Sequence, residues 1–344
     1  MARDKPLIYI TMGDPAGIGP EIIAGSMASP EIRGLAVFVV LADKDVMKAA
    51  FNAGMRERLV IHAPGPQERT VGIREDRINI LDPGGATGCI EPGKPTDKGA
   101  GKALGCIETA VRLFRRREEG RPRALVTAPV DKSVIARVHP GFVGHTEYLR
   151  ESFSSDMTTM VLIGETLRVV PVTRHIPVTD ISPALSIDLI TGTLEQVIRH
   201  RGLICGRDTA RIGVCGLNPH CGEGGEIGRE EIEIILPAIE RARSAYPHIE
   251  GPVSADVAFY KAAKKEIDIV VSMYHDQCLA PFKMVDFDNG VNMTLGLDFM
   301  RTSPDHGTAF DIAGKGIASS MSMKNAIKLA VRAASAADDH GPAS

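Results

Sequence analysis

Short runs of β-branched and aliphatic residues alternate along the chain with longer stretches whose apolar positions recur every three or four residues. This alternation predicts an α/β fold, a parallel sheet covered by helices. Residues 7–11, 36–41, 124–127, 167–172, 211–216 and 268–273 read as strands, and nearly all run straight into polar residues. Helical spacing predicts helices over 99–117, 187–201, 230–245 and an Ala-rich 323–337. The first of these ends in Arg115, Arg116 and Arg117, where positive charge suits a helix C-terminus. Residues 82–101 are too rich in Gly and Pro for regular structure and predict a surface connection, and the final HGPAS predicts a frayed end.

Composition narrows the class. At 344 residues the chain exceeds the roughly 250 to 300 residues that one core supports, so two lobes are expected. Hydrophobic content of 44% and charged content of 24% exclude a disordered chain. The net charge of −3, from 40 basic and 43 acidic residues mixed along the chain, gives no positive field for nucleic acid. The longest apolar stretch, residues 35–42, falls far short of the roughly 20 residues that cross a bilayer, and MARDKPLIYITMGDP has no leader pattern. No membrane partner is expected, and the expected compartment is the cytoplasm. There Cys89, Cys106, Cys205, Cys215, Cys221 and Cys278, with no C-x-x-C pair, would be reduced. With no Trp and 4% aromatic residues the core must be mostly aliphatic.

The candidate chemistry lies at strand ends. LRVVPVTRH ends at His175, RIGVCGLNPH at His220, and IDIVVSMYHD runs through His275. Ligands of open parallel sheets bind beyond the carboxyl ends of strands, and three imidazoles plus an open position make a catalytic metal centre. No local H-x-x-x-H spacing links the three, so each also reads as a hydrogen-bonded structural histidine. After Tyr274 the chain gathers His275, Asp276, Gln277, Lys283, Asn292, Arg301, Asp305 and His306 among turn-forming residues, outside any amphipathic helix pattern. Lys283 and Arg301 suit an anionic substrate, the alternative being surface ion pairs.

Residues 13–22, GDPAGIGPEI, follow the first strand and would open a helix able to face an anion. The third glycine of a Rossmann fingerprint is replaced by Ile22, and no P-loop is present. A second glycine-rich loop, residues 218–231, carries Glu223, Glu226, Arg229 and Glu230, and reads as a site loop or as a helix start with acidic residues complementing the dipole. GHTEYL reads as a polar cluster of His145 and Thr146, or as a turn capped by Thr146.

The motifs GDPAGIGPEI, VTAPVDK, GHTEYL, VTRHIPVTD, LNPHCGEGG, MYHDQ, GVNMTLGL and RTSPDHGTAFDIAG, in that order along nearly the whole chain, resemble the 4-hydroxythreonine-4-phosphate dehydrogenase family. That family is taken with its relatives acting on 4-phospho-D-threonate and 4-phospho-D-erythronate. The resemblance implies two α/β/α lobes with the active-site cleft between them, similar to isocitrate and isopropylmalate dehydrogenases. The expected lobes are residues 1–134 plus 302–344, and residues 135–301, the latter carrying the metal histidines and the interface of a homodimer that completes the site.

The family resemblance also implies NAD or NADP as cofactor. It implies one divalent ion, zinc foremost with magnesium, manganese or cobalt as alternatives, on His175, His220 and His275. Substrate contacts are expected from His145, Thr146, Lys283, Asn292 and Arg301, and Asp256 and Lys283 are the catalytic candidates. The implied reaction oxidises the C3 hydroxyl of 4-phosphohydroxy-L-threonine to a 3-oxo acid, which decarboxylates to 3-amino-2-oxopropyl phosphate in vitamin B6 biosynthesis. The same chemistry on 4-phospho-D-threonate or 4-phospho-D-erythronate is the nearest alternative. A metal-dependent hydrolase, active without NAD, and a non-catalytic binding protein, lacking metal ligands, stand further off. The chain departs from the family's usual text at Cys221, Glu226, Cys278 and Asp298, the two thiols standing near expected metal ligands.

Overall fold

The computed structural model describes residues 5–62, 72–84, 90–116 and 121–340. The fold is α/β, and the chain divides into two compact units, Met1–Asp156 with Leu297–Ser344, and Met157–Gly296. The described strands, in chain order, are β1 (Leu7–Thr11), β2 (Val37–Leu41), β3 (Leu59–His62), β4 (Ile78–Leu81), β5 (Arg123–Thr127), β6 (Thr159–Ile163), β7 (Arg168–Pro171), β8 (Ile212–Cys215), β9 (Ile249–Val253), β10 (Ile269–Ser272), β11 (Val291–Leu295) and β12 (Met300–Pro304).

In the first unit the strands run in the order β3-β4-β2-β1-β5-β12, and every pair is parallel. All ten residues of β1 and β2 are buried, which is why these strands are unbroken apolar runs rather than alternating ones. The helix Asp97–Arg115 covers this sheet. Thr96 Oγ1 caps it by accepting from the Gly99 N–H at 3.1 Å.

Residues 135–156, expected in the second lobe, belong to the first unit. The reason is packing: Val134, Ile135 and Phe142 are buried with Ala100, Leu104 and Ile107 of the helix Asp97–Arg115. Arg301 also belongs here, because β12 pairs with β5 in the register Arg301 to Leu125.

The second unit has the order β11-β6-β7-β10-β8-β9. Strands β7, β10, β8 and β9 are parallel, but β6 runs antiparallel to both β7 and β11, so this sheet is mixed where a parallel one was expected. Asp286 holds the β6–β7 turn. Its buried carboxylate accepts from the backbone N–H groups of Glu165, Thr166 and Leu167 at 2.8 to 3.2 Å. Asp286 ends the helix His275–Asp286, which carries Pro281 inside it.

The long helices fall close to expectation, at Ile187–Cys205 and Met321–His340. The segment expected as one helix over 230–245 opens instead with a π-helical turn, Glu231–Ile235, followed by the α-helix Leu236–Arg243. Among the described residues no helix is long and apolar enough to cross a membrane. Cys89, residues 85–89 of the expected surface connection, residues 117–120 after the helix Asp97–Arg115, and the tail 341–344 lie outside the described residues.

Candidate active site

In the first unit Arg301 of β12 meets Thr127, the last residue of β5, and Thr146. Arg301 is 4% exposed, and its Nε and Nη2 donate to Thr127 Oγ1 at 3.0 and 2.6 Å, while Nη1 donates to Thr146 Oγ1 at 3.4 Å. Burial lowers its pKa to about 10, partly offset by the Glu147 carboxylate, so the guanidinium stays charged at neutral pH.

His145 opens the helix His145–Ser152, with Gly144 in the cap position and no side-chain cap. The expectation that Thr146 caps this helix is therefore not met, because the helix begins one residue earlier and Thr146 sits inside its first turn. Burial, with the positive charges of Arg301 and Lys132, pushes the His145 pKa well below the usual imidazole value, so the ring is neutral. Its Nε2 is enclosed and has no hydrogen-bond partner. The side chains of Glu147 and Lys132 come close to Gly144: a Cβ there would stand 3.0 Å from Glu147 Oε2 and 3.1 Å from Lys132 Cε.

The GDPAGIGPEI loop packs against residues 305–316 of the same unit. Ile18 N donates to Thr308 O at 2.9 Å, and Gly314 N to Glu21 Oε2 at 3.1 Å. Gly17 N donates to Asp14 O, so these amides serve the loop itself rather than an anion. Gly13 has φ 76°, and a Cβ there would lie 2.3 Å from Pro129 O, which explains the glycine. Asp14 Oδ2, Glu21 Oε1 and His306 Nε2 are enclosed and without partners, and burial raises the Asp14 pKa.

In the second unit the three expected histidines stand beyond β7, β8 and β10. The His175 and His275 rings are 5.6 Å apart between centroids. Two imidazoles sharing one tetrahedral ion, with nitrogen–metal distances of about 2 Å, place their ring centres about 5 Å apart, so this pair is spaced for a common ion. His220 Nδ1 pairs with Glu223 Oε1 at 2.6 Å, and His275 Nδ1 with Asp276 Oδ1 at 2.6 Å. A carboxylate on Nδ1 leaves Nε2 as the open nitrogen, the usual orientation of a metal-binding histidine. The donor set therefore fits a borderline divalent ion, although among the described residues no three His, Cys, Asp or Glu side chains converge on one point within the single chain. Hydrogen bonding to Glu223 raises the His220 pKa, and the Asp256 charge adds to it.

The remaining expected residues are distributed over the same unit. Asp256 is exposed in the first turn of the helix Ala255–Ala263. His275, Asp276, Gln277 and Lys283 lie on the helix His275–Asp286, which corrects the expectation of an irregular segment; Pro281 had masked its helical pattern. Gln277 joins two strand ends, accepting from Met273 N at 2.7 Å and donating to Gly216 O at 2.8 Å. The Lys283 ammonium lies 5.9 Å from the Phe287 ring centroid. Asn292 is on β11, with its Oδ1 enclosed and unpartnered.

The two unusual thiols differ. Cys278 is buried among Leu162, Val169, Phe282 and other apolar side chains, and burial pushes its thiol pKa up, as suits a small hydrophobe. Cys221 is half-buried, with Sγ 3.7 Å from Ser254 Oγ. Glu226 and Asp298 are exposed.

Three contributors went unnoticed in the sequence. Thr127 is hidden as the last residue of a strand, and Asp14 inside a glycine motif. Glu231 had a visible signal, since it shares a helical face with Ile235, Ala238 and Ala242, all buried.

The family description "Pyridoxal phosphate biosynthetic protein PdxA" matches residues 35–330. Two curated relatives, both named 4-hydroxythreonine-4-phosphate dehydrogenase, align over nearly the full length. The protein from Trichlorobacter lovleyi is 39% identical, covering 97% of this chain and 99% of its own. The one from Bradyrhizobium diazoefficiens is 42% identical, covering 96% and 98%. Among solved structures, a 4-hydroxythreonine-4-phosphate dehydrogenase from Klebsiella pneumoniae superposes with a TM-score of 0.77 at 34% identity, covering 96% of this chain and 100% of that one. A terephthalate 1,2-cis-dihydrodiol dehydrogenase from Burkholderia xenovorans, 24% identical with a TM-score of 0.63 and covering 95% and 98%, shares the fold.

Proposed function

Because this chain belongs to the PdxA family of pyridoxal phosphate biosynthetic proteins, we propose that it oxidises the C3 hydroxyl of 4-phosphohydroxy-L-threonine with NAD or NADP. The 3-oxo acid so formed loses CO2 to give 3-amino-2-oxopropyl phosphate. The observation that carries the reading is a buried, charged Arg301 whose field reaches a neutral His145 with an unpartnered Nε2. A guanidinium locked by Thr127 presents a planar fork to a phosphate or carboxylate, and a neutral imidazole within its field can donate or accept without adding charge. Thr146 supplies a hydroxyl at the same place.

In the second unit, Lys283, Asn292 and Asp256 are assigned to substrate and proton handling on their motif positions. Asn292 is supported by its unpartnered Oδ1, and Asp256 by its electrostatic reach to His220. His175, His220 and His275 would hold a divalent ion, zinc foremost. When bound, such an ion supplies Lewis acidity toward an oxygen of the substrate. Glu223 and Asp276 fix the ring orientation of two of these histidines.

The nicotinamide cofactor, which accepts the hydride, is assigned to the surface of residues 13–19 and 305–316 in the first unit. Support comes from the enclosed, unpartnered Asp14 Oδ2, Glu21 Oε1 and His306 Nε2, groups that a ligand would satisfy. The enzyme is assigned a homodimeric state that completes the site. Exposed Tyr260, Met284 and Phe287 on the unit that carries the histidines support it. Free thiols at Cys106, Cys205, Cys215, Cys221 and Cys278 suit a cytoplasmic enzyme.

The experiment is an NADH-formation assay on 4-phosphohydroxy-L-threonine, with Arg301→Met and His220→Ala alongside. Loss of turnover in both supports the reading. Full turnover in either removes that residue from it.

A further inference from the structure

The loop after β8 is built from left-handed backbone. His220, Cys221, Gly222, Glu223 and Gly224 have φ of 50°, 53°, 75°, 44° and 69°. Three of these are not glycine, and side chains disfavour this region, so the surroundings must impose it. Such imposed strain clusters at functional sites.

Immediately before this turn the chain is held by Glu231. This side chain is 3% exposed, and its Oε1 accepts from the backbone N–H groups of Leu217 and Asn218 at 2.8 and 2.7 Å. Its Oε2 accepts from Asn218 Nδ2 at 2.9 Å. That amide also donates to Glu230 Oε2 at 2.7 Å, and Glu230 Oε1 accepts from Ser182 Oγ at 2.6 Å. Glycines close around the cluster. A Cβ at Gly216 would stand 3.0 Å from Glu231 Oε1, one at Gly222 2.8 Å from Glu231 Oε2, and one at Gly228 2.5 Å from Asn218 Nδ2.

These bonds run backward, to the second and third residues after β8, so Glu231 is not serving the helix that it opens. It begins the π-helical turn Glu231–Ile235, a local widening often found at functional sites. The left-handed turn that follows Asn218 carries Glu223 back to His220 Nδ1 at 2.6 Å, leaving Nε2 open.

We propose that Glu231 is the positioning residue of His220: its buried carboxylate fixes the start of the left-handed turn, and the turn holds Glu223 on His220. The proposal rests on the reading that His220 serves the active site. It extends that reading to a residue that touches neither substrate nor metal.

The test compares Glu231→Ala, Glu231→Gln, His220→Ala and the surface control Glu233→Gln in the full-length protein. Each is titrated with Co(II) alone, followed by its visible spectrum, and each is assayed for kcat, KM and thermal midpoint. Glu231→Ala is expected to weaken Co(II) binding and lower kcat by about 10- to 100-fold, the range for groups that orient metal ligands, with little change in KM. Glu231→Gln keeps one acceptor oxygen for the two backbone N–H groups and is expected to fall between wild type and Ala. Glu233→Gln is expected to match wild type.

A folded Glu231→Ala with wild-type Co(II) affinity and spectrum overturns the proposal. If Ala does not fold, Glu231→Gln with both unchanged overturns it. His220→Ala separates the two levels. If it loses Co(II) binding and turnover while the Glu231 variants do not, only the positioning role fails; if it behaves as wild type, the active-site reading of His220 fails and the positioning role with it.

Discussion

Arg301 and Thr127 are joined by two hydrogen bonds from one guanidinium edge, Nε at 3.0 Å and Nη2 at 2.6 Å to a single Oγ1, in a buried part of the first unit. The hydroxyl is neutral, so it orients the fork without cancelling its charge. Under the proposed function this guanidinium is the anchor for an anionic group of the substrate.

Arg301→Lys keeps a positive charge but loses the fork. It is expected to lower kcat/KM about 10- to 100-fold, mainly through KM, as the loss of a charged hydrogen bond implies. Thr127→Val leaves the guanidinium less well held and is expected to cost about 1 to 3 kcal/mol of stability by stranding its donors. Steady-state kinetics and thermal unfolding check both. An unchanged KM in the lysine variant contradicts the anchoring role.

The lowered pKa of His145 has a signed consequence for stability. The folded ring binds a proton less readily than the unfolded one, whose pKa is about 6.5. Its stabilising contribution is complete above that value and is lost as pH falls below it toward the folded pKa. His200, also lowered by burial, acts in the same direction. The pH slope of unfolding free energy below about 6.5 is therefore expected to be smaller in His145→Gln than in wild type, by up to about 1.4 kcal/mol per pH unit. Chemical denaturation between pH 5 and 8 measures it, and identical slopes contradict a neutral, enclosed His145.

Cys215 and Cys278 are buried together in the apolar core of the second unit, and burial raises the Cys215 thiol pKa to about 12. Thiolate is the reactive form. Native protein is expected to leave these two unlabelled by a thiol reagent at pH 8 while the half-buried Cys205 and Cys221 react, and denatured protein to label all four. Mass mapping of the labelled sites decides this. Rapid native labelling of Cys278 contradicts its assignment to the core.

His306 has an enclosed Nε2 without a partner, beside the GDPAGIGPEI loop. If that surface takes the dinucleotide, His306→Ala raises KM for NAD several-fold, about the worth of one hydrogen bond, and leaves KM for the phosphorylated substrate unchanged. The opposite split moves the cofactor elsewhere.

The sequence exposes most clearly those parts whose physics is local. Central strands such as β1, β2 and β10 are continuous apolar runs because both faces are covered, so they were legible almost to the residue. Strands β9 and β12 were not, since IEGPV carries Gly and Pro and MRTSP is mostly polar; their places come from pairing with β8 and β5. Pro281 concealed the helix that bears His275. The three histidines were legible from their positions beyond strand ends. Glu231 was legible only as a residue on the apolar face of its helix, because the partners that give it its role lie thirteen and fourteen residues earlier. The boundary between the units was displaced because the side chains that bind residues 135–156 to the first unit sit more than twenty residues upstream, on the helix Asp97–Arg115.

The most direct test of the proposed function is NADH formation by purified protein with 4-phosphohydroxy-L-threonine, run after chelation and again after adding back zinc, manganese or magnesium. 4-Phospho-D-threonate and 4-phospho-D-erythronate are assayed in parallel. The account predicts turnover of the amino compound that chelation abolishes and a divalent ion restores. Turnover confined to a sugar-acid phosphate, or no NAD reduction with any of the three, would contradict it.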